Sequence, residues 1–406
     1  MSGTFGKPVS LSRCIEFFLT MKILHTSDWH LGHTLAGYDR TEEQQAMLDQ
    51  MVDIVREQQP DVMILAGDVY HTSQPATAVQ RLFNRTIVRL HDACPAMTII
   101  VTAGNHDSGT KHEIFRIPWE YLNVFMIGTL EKEHPESHII EVPEKGFVIA
   151  LPYTHERNLQ DGFVQHLINE TQLRNSDNLP IVLTEHTSIA GADYKGHEDA
   201  DEHTIGGIDA VKVSDIGEGY DYLALGHIHH AQFVHTGKHN VRYSGSPLPV
   251  SFDEDYEHSV SIVEVNRHGE PPAVKTIAIS NPHPLTTLPP KDIATWEEAK
   301  QLLKDFPEGL PNYIRLNVEI TDTPPSAAKQ EALQIVQGKQ CRFCLLNVVK
   351  RKSEQSRTTQ VSVQDFQKMS PIEVAQMFAK DSDTPFDEEM QQMLQEVIQN
   401  INNQQL

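Results

Sequence analysis

An alternation of apolar and amphipathic segments between Lys22 and Val101 constrains the fold of this 406-residue chain most strongly. Three short apolar segments of strand type alternate with two longer segments in which apolar residues recur every three or four positions. In chain order they are Ile23–His25, Thr41–Gln58, Val62–Leu65, Ala78–Leu90 and Met97–Val101. Strands that alternate with helices in this way are parallel and are joined by crossover helices. The sequence therefore predicts an α/β fold, with further strands at Phe147–Ala150, Ile181–Thr184, Tyr222–Leu225 and Ser259–Val265.

Proline-rich segments between residues 281 and 290 predict a domain boundary near residue 280. A smaller unit follows, in which Thr295 and Glu298 form the pattern of a helix-capping box ahead of two strands and a second helix. We therefore predict a main domain over residues 21–280 and a small α+β domain over residues 281–350.

The two ends of the chain are predicted to lie outside these domains. Residues 1–20 precede a second methionine, Met21, and we interpret them as an N-terminal extension from an alternative start. Residues 351–406 are predicted to hold a basic linker and two short helices, which begin near Ser370-Pro371 and Thr384-Pro385. The second of these helices is apolar along one face, so it packs either on its own domain or on a partner.

Charge and cysteine content exclude several classes of protein. The 56 acidic and 33 basic side chains give a net charge of −23, so bulk charge alone does not hold the chain to DNA or to anionic lipid. Four cysteines exclude a disulfide scaffold and fit the reducing cytoplasm. The Cys341–Cys344 pair lacks the second ligand pair that a structural zinc site needs. No stretch approaches the roughly 18 apolar residues of a membrane-spanning helix.

Histidine is distributed unevenly along the chain. All 22 histidines lie at or before His283, and the same region carries a charge of −19 out of the total of −23. Histidine is the commonest metal-ligating side chain, although an ordinary structural role is the default for any single one. The two parts of the chain are therefore predicted to have different roles, with the chemistry in the first.

Four motifs with metal-ligating residue types directly follow predicted strands. They are Asp28-Trp29-His30, Gly67-Asp68, Gly104-Asn105-His106-Asp107 and Gly226-His227-Ile228-His229, and His186 follows a fifth strand. Functional sites in open α/β sheets assemble at the carboxyl ends of the parallel strands. If the D-x-H and H-x-H segments are extended, the two polar side chains of each point to one side.

The combined set of carboxylate, amide and imidazole groups suits Mn²⁺, iron or Zn²⁺. The set contains more ligands than one ion accepts, and a shared aspartate is able to bridge two ions. Two ions about 3.5–4 Å apart suit in-line attack on a phosphoryl group. The sequence therefore predicts a dimetal site for phosphoryl chemistry.

The order of these motifs resembles the signature of the calcineurin-like metallophosphoesterases, and the surrounding sequence resembles the branch that contains the nucleases of DNA double-strand-break repair. The segments that carry this resemblance are MKILHTSDWHLG (21–32), ILAGDVYHTSQP (64–75), VTAGNHDS (101–108), YLALGHIHHAQ (222–232) and RYSGSPLPVSFDE (242–254). The resemblance is strong to about residue 280 and weaker beyond it. It implies a sandwich of two β-sheets flanked by helices, with a small α+β capping domain and C-terminal helices.

The resemblance also implies a set of metal ligands. Asp28, His30 and His229 match the ligands of one ion, Asn105, His186 and His227 match those of a second, and Asp68 matches the bridging carboxylate. Glu185 stands where the family usually has glycine, next to the predicted ligand His186. The direction in which Glu185 points therefore decides whether extra negative charge lies near the ions.

Three further residues are implied to act beside the ions. His106 matches a catalytic histidine that does not bind metal and either stabilises the phosphorane or protonates the leaving oxygen. Asp107 is implied to orient the ring of His106. His71 matches a histidine that assists exonuclease action in part of the family.

The function implied by the resemblance is that of a DNA nuclease with two divalent ions, Mn²⁺ foremost. The expected activities are 3′–5′ double-strand exonuclease and single-strand endonuclease cleavage at duplex ends and hairpins, in DNA repair, recombination and replication. The expected partners are an SMC-family ATPase that binds the C-terminal helices and a second copy of the chain within a heterotetramer. Two alternatives stay open: a small-molecule or protein phosphoesterase on the same fold, and an inactive scaffold for an ATPase.

Overall fold

A computed structural model describes residues 20–155, 158–196, 210–234, 239–320 and 327–350, with short helical pieces at 372, 375–376, 379 and 390–394. The predicted N-terminal extension, the linker and most of the C-terminal helices therefore lie outside the described residues. Within the described part of the chain, none of the helices combines the length and the apolarity that crossing a membrane requires.

The first of two six-stranded sheets holds the predicted parallel strands. Its members are β1 (Met21–Thr26), β4 (Val62–Ala66), β5 (Thr98–Thr102), β6 (Val124–Ile127), β13 (Ser259–Val265) and β14 (Ala273–Ala278). They lie in the order β14-β13-β1-β4-β5-β6, in which β1, β4, β5 and β6 are parallel to one another. Two helices, α1 (Thr41–Gln58) and α2 (Thr77–Ala93), follow β1 and β4 as the crossovers. The predicted β-α-β-α-β unit is confirmed.

The second sheet is formed mainly by the middle of the chain. Its members are β7 (Ile139–Val142), β8 (Gly146–Ala150), β9 (Ile181–His186), β10 (Tyr222–Gly226), β11 (Gln232–Phe233) and β12 (Val241–Tyr243), in the order β11-β12-β10-β9-β8-β7. The helix α5 (Phe163–Arg174) connects β8 to β9. The smaller elements are the hairpin β2 (Thr34–Leu35) and β3 (Tyr38–Asp39), the helices α3 (Gly109–Glu113), α4 (Arg116–Glu120) and α6 (Val213–Ile216), and a 3₁₀ turn at Pro135–His138.

Apolar side chains from both sheets form a shared core between them. Ile23, Ile64 and Ile100 of the first sheet are fully buried in one cluster with Val148 and Val182 of the second. The helices α1 and α2 cover the outer face of the first sheet, and α5 covers that of the second. Since both faces of each sheet bury apolar surface, the strands are nearly continuous runs of buried residues. The predicted two-sheet sandwich flanked by helices is confirmed.

A small α+β unit follows the sandwich. It consists of β15 (Leu285–Leu288), α7 (Trp296–Asp305), β16 (Tyr313–Ile320), α8 (Ala328–Ile335) and β17 (Arg342–Lys350), and its three strands are parallel in that order. The predicted capping box begins α7. The Thr295 hydroxyl accepts the Glu298 N–H at 3.4 Å, and the Glu298 carboxylate accepts the Thr295 N–H at 2.9 Å.

The small unit packs on the sandwich through Tyr313 and Cys344, which are buried in one cluster with Leu35 and Phe252. Cys341 instead belongs to the separate core beneath α7 and α8. The two cysteines of the C-x-x-C motif therefore point to opposite faces of the small sheet. Two side chains on opposite faces of a sheet do not bind the same ion.

Candidate dimetal site

The predicted ligand residues converge at one end of the sandwich. The strands β1, β4 and β5 of the first sheet are followed by Asp28, His30, Asp68, Asn105 and His106. In the second sheet, β9 ends at His186, and β10 is followed by His227 and His229. Two groups of buried side chains have a geometry that suits a metal ion. One group is Asp28, His30 and His229, and the other is Asp28, Asp68 and His186. The two sheets thus contribute ligands from opposite sides of a single cluster.

The backbone that presents these side chains is not extended. Asp28, His30, Asp68 and His227 all have positive φ angles, of 54°, 43°, 50° and 97°. Residues other than glycine adopt this conformation at a cost, and such strain persists where the surrounding structure imposes it, often at functional sites. The expectation that each D-x-H or H-x-H pair lies along an extended segment is therefore wrong for Asp28-Trp29-His30. The side chains converge because sharp turns, rather than strand alternation, direct them.

One half of the cluster is formed by Asp28, His30 and His229. The Nε2 atoms of His30 and His229 lie 3.1 Å apart. Behind His229, its Nδ1 donates to Oε1 of Glu254 at 3.0 Å, and both side chains are buried. Such a carboxylate fixes the ring and makes its outer nitrogen a better ligand. Glu254 was not singled out from the sequence, although it ends the segment RYSGSPLPVSFDE that carries the family resemblance.

The other half is formed by Asn105, His186 and His227. The Oδ1 atom of Asn105 lies 3.0 Å from Nε2 of His186 and 3.1 Å from Nδ1 of His227. His186 is fully buried, and its Nδ1 donates to the carbonyl oxygen of Ala66 at 2.8 Å. A neutral carbonyl therefore supports His186, where a carboxylate supports His229.

Asp68 lies between the two halves. Its Oδ2 is 3.4 Å from Nε2 of His186 and 3.7 Å from Nε2 of His30, while its Oδ1 accepts the His106 N–H at 2.9 Å. Burial opposes ionisation of this carboxyl, but the rings of His186, His30 and His106 outweigh burial and hold its pKa below the usual range. Asp68 therefore lies between the two halves, and the bridging role that the resemblance implies for it stays a prediction.

The pKa values of the histidines follow from the same contacts. Burial disfavours a charged ring, but the carboxylates of Asp68 and Asp28 raise the pKa of His186 to about 9. Glu254 likewise outweighs burial and raises the pKa of His229 to about 9. Burial dominates at His30 and lowers its pKa well below the ordinary value. Protons and cations are therefore both attracted to the cluster, and a metal ion must displace protons to bind.

The donor set fits two divalent ions. Imidazole nitrogens, carboxylate oxygens and one amide oxygen converge from two sides, a mixture that suits Mn²⁺, iron or Zn²⁺. Two glycines permit this crowding. A side chain at Gly67, whose φ is +83°, would collide with the ring of His186, and one at Gly104 would collide with the carboxylate of Asp68.

Glu185 points away from the cluster. Strand β9 extends to His186, so Glu185 shares a face with Leu183 on the outer side of the second sheet, where its charge acts on Tyr220 and Tyr243. Burial raises the pKa of this carboxyl to about 7. Glu185 therefore supplies no ligand, and the neighbouring His186 faces the cluster.

The predicted role of Asp107 is wrong. Its carboxylate accepts the N–H groups of Val69, Tyr70 and Gly104 at 2.9–3.0 Å and does not contact the ring of His106. These three backbone donors come from two loops, so Asp107 joins the loop after β4 to the loop after β5. His106 is instead oriented by a carbonyl, since its Nδ1 donates to the oxygen of His71 at 3.0 Å.

His71 and His106 lie together at the rim of the cluster. Their rings are stacked at 5.7 Å between centroids, and the His106 side chain is 25% exposed. Burial and the neighbouring His106 lower the pKa of His71. His71 therefore lies beside His106, and the assisting role that the resemblance implies for it stays a prediction.

Comparison with known proteins identifies the family. Residues 21–231 match the model of the calcineurin-like phosphoesterase, and residues 281–383 match that of the type 5 capsule protein repressor C-terminal domain. The chain belongs to the calcineurin-like phosphoesterase family. The first match covers the whole of the cluster described above, and the second begins where the small α+β unit begins.

Three curated relatives are named as the SbcD component of the nuclease SbcCD. The chain is 29% identical to the Escherichia coli protein over 401 residues, which are 92% of this chain and 96% of that one. It is 30% identical to the Rhodobacter capsulatus protein over 351 residues, 77% of this chain and 84% of that one. It is 32% identical to the Bacillus subtilis protein over 288 residues, 65% of this chain and 71% of that one. The family and the cluster together make this chain a metal-dependent phosphodiesterase of the SbcD type.

Proposed function

We propose that this chain is the nuclease component of an SbcCD-type complex, which hydrolyses phosphodiester bonds at duplex DNA ends and hairpins. The convergence of seven side chains of metal-ligating type, Asp68 and the six around it, is the observation that carries the proposal. An inactive scaffold has no need of this set. A small-molecule phosphoesterase has little need of the additional α+β unit, which the chain shares with its nuclease relatives.

The chain's own residues divide the chemistry between them. When two divalent ions are bound they supply a water of lowered pKa and positive charge against the phosphate oxygens. Those ions would be held by seven side chains, which are Asp28, His30, Asp68, Asn105, His186, His227 and His229. His106 keeps one proton on Nδ1, because a carbonyl oxygen can only accept. Its Nε2, which faces the cluster 3.9 Å from Asp68, is the atom that would hold the proton for the leaving oxygen.

The cofactor, partners and domain roles complete the proposal. Mn²⁺ is the proposed metal, and an SbcC-like SMC-family ATPase the proposed partner, bound by residues 351–406. Residues 21–280 would form the nuclease domain and residues 281–350 the capping domain, in a homodimer within a heterotetramer in the cytoplasm. Because residues 1–283, which contain the proposed nuclease domain, carry a net charge of −19, the metals and the ATPase would supply most of the grip on DNA.

Removing the His106 ring tests the catalytic assignment. With Mn²⁺ and the ATPase partner, we expect His106→Ala to lower kcat on an end-labelled hairpin by about 10³-fold, the range of general acid catalysis. Mn²⁺ binding by calorimetry should stay unchanged, because the ring is no proposed ligand. His166→Ala, an exposed histidine on α5, is the matched control. Retained cleavage by His106→Ala overturns its role. Wild-type cleavage of a chromogenic phosphodiester but of no DNA overturns the nuclease proposal.

A further inference from the structure

A third histidine extends the row formed by His106 and His71. The ring of His33 lies 4.6 Å from that of His71, edge to face, and His71 in turn stacks on His106. His33 lies in the turn after the ligand His30, just before β2, and its side chain is only partly buried. The row therefore extends from the proposed proton donor along the rim of the cluster.

A buried arginine holds His33 from behind. Arg40 is 2% exposed, and its Nη1 donates to the carbonyl oxygen of Pro249 at 2.6 Å and to Nδ1 of His33 at 3.1 Å. The Glu43 carboxylate lies 3.7 Å from its Nε, and the Tyr313 ring of the small α+β unit lies 5.9 Å from its central carbon. The guanidinium is thus fixed on several sides and has little freedom to move away from His33.

This contact determines which nitrogen of His33 carries the proton. A guanidinium only donates hydrogen bonds, so Nδ1 of His33 must accept and Nε2 must carry the hydrogen. Nε2 makes no hydrogen bond within the described part of the chain, and it is not among the buried polar atoms without a partner. His33 therefore presents a fixed, accessible N–H donor at the rim of the site.

We propose that His33 contacts the substrate, donating its Nε2–H to an oxygen of the phosphate next to the scissile one, while Arg40 is a positioning residue that maintains this tautomer. The inference rests on the proposed nuclease function, because only a polynucleotide brings a second phosphate to the rim. Phosphate oxygens are strong acceptors, and a neutral donor is able to recognise them in the part of the chain, residues 1–283, whose net charge is −19.

Kinetics on two substrates test the proposal in the full chain with its ATPase partner and Mn²⁺. His33→Ala is expected to raise KM for an oligonucleotide about tenfold, the scale of one hydrogen bond to a charged group, with little change in kcat. A small chromogenic phosphodiester has no flanking phosphate, so its KM should change at least fivefold less. His134→Ala, an exposed histidine outside the site, is the matched control.

Conservative variants show whether His33 acts as a hydrogen-bond donor or only packs against its neighbours. The amide nitrogen of glutamine reaches about as far as Nε2 of histidine, so His33→Gln should recover most of the affinity that His33→Ala loses, while His33→Asn should not. Arg40→Met removes the fixed donor behind the ring and should raise KM for the oligonucleotide by a smaller factor. In a His33→Ala background it should add nothing further to KM.

The contrary results are distinct from one another. An unchanged KM for the oligonucleotide, or an equal loss on both substrates, overturns the role of His33. A failure of His33→Gln to recover affinity overturns the donor assignment. If Arg40→Met adds its full effect to His33→Ala, the positioning role is overturned. If the wild-type complex cuts the chromogenic ester but no DNA, the proposed function fails and this inference fails with it.

Discussion

The two halves of the candidate metal site contain similar side chains, but those side chains are supported differently. His229 is backed by the buried carboxylate of Glu254, whereas His186 is backed by the carbonyl oxygen of Ala66. Asp28 groups with His30 and His229 and also with Asp68 and His186, whereas the neutral amide of Asn105 lies against His186 and His227. Since negative charge near a ligand raises its basicity, we expect the half with His229 to bind its ion more tightly. Similar ligand types therefore do not imply similar affinity.

Replacing the carboxylate that the two halves share is expected to have the largest effect. Asp68→Asn removes the charge that faces both His30 and His186, so both ions should bind poorly and kcat/KM should fall by at least about 10³-fold. Calorimetric titration with Mn²⁺ should lose both classes of site. If one class keeps its affinity, Asp68 does not bridge the halves.

Removing the charge behind His229 should separate the two halves. Glu254→Gln keeps an acceptor for Nδ1 of His229 but removes the negative charge, so the affinity of the tighter Mn²⁺ class should fall about 10- to 100-fold. The weaker class should change little. Glu264→Gln, an exposed glutamate on β13, makes the same charge change away from the site and serves as the control. Equal shifts in both classes would show that the halves are not independently supported.

The smallest expected effect concerns His25, which lies between the two sheets that carry the halves of the site. His25 is fully buried, donates from Nε2 to the carbonyl oxygen of Leu225 at 3.1 Å and accepts at Nδ1 from the Tyr222 hydroxyl at 2.9 Å. Burial, with the nearby charge of Arg242, lowers its pKa to about 3. The native ring thus stays neutral where the unfolded ring, with a pKa near 6.5, gains a proton.

Stability should therefore decrease as the pH falls from about 6.5 towards 3. At pH 5, the effect of His25 lowers the free energy of unfolding by about 2 kcal/mol relative to pH 7. Urea unfolding of His25→Gln, which cannot be protonated, should lose that much less between the two pH values than the wild type. The exposed His166→Gln serves as the control. A pH dependence identical to that of the wild type would contradict the neutral buried ring.

Much of the fold follows from local patterns. The strands β1, β4, β5, β9, β10 and β13 and the helices α1 and α2 were predicted because apolar periodicity is a property of a short segment. The strand β9 illustrates the limit. The sequence predicted that β9 ends at Thr184, but the strand continues to His186. Because Glu185 and His186 are part of the strand, Glu185 points outwards and His186 points inwards.

The sequence alone predicted which side chains form the candidate site and in what order, since the motifs after β1, β4, β5 and β10 are contiguous and specific to residue type. Only the tertiary structure decided how they are supported. Glu254 reaches His229, Asp107 clamps the loop after β4, and Arg40 holds His33 against Pro249. Each of these contacts joins segments that lie apart in the chain. A hydrogen bond depends on distance and angle, and no spacing along the sequence specifies these until the segments have packed together.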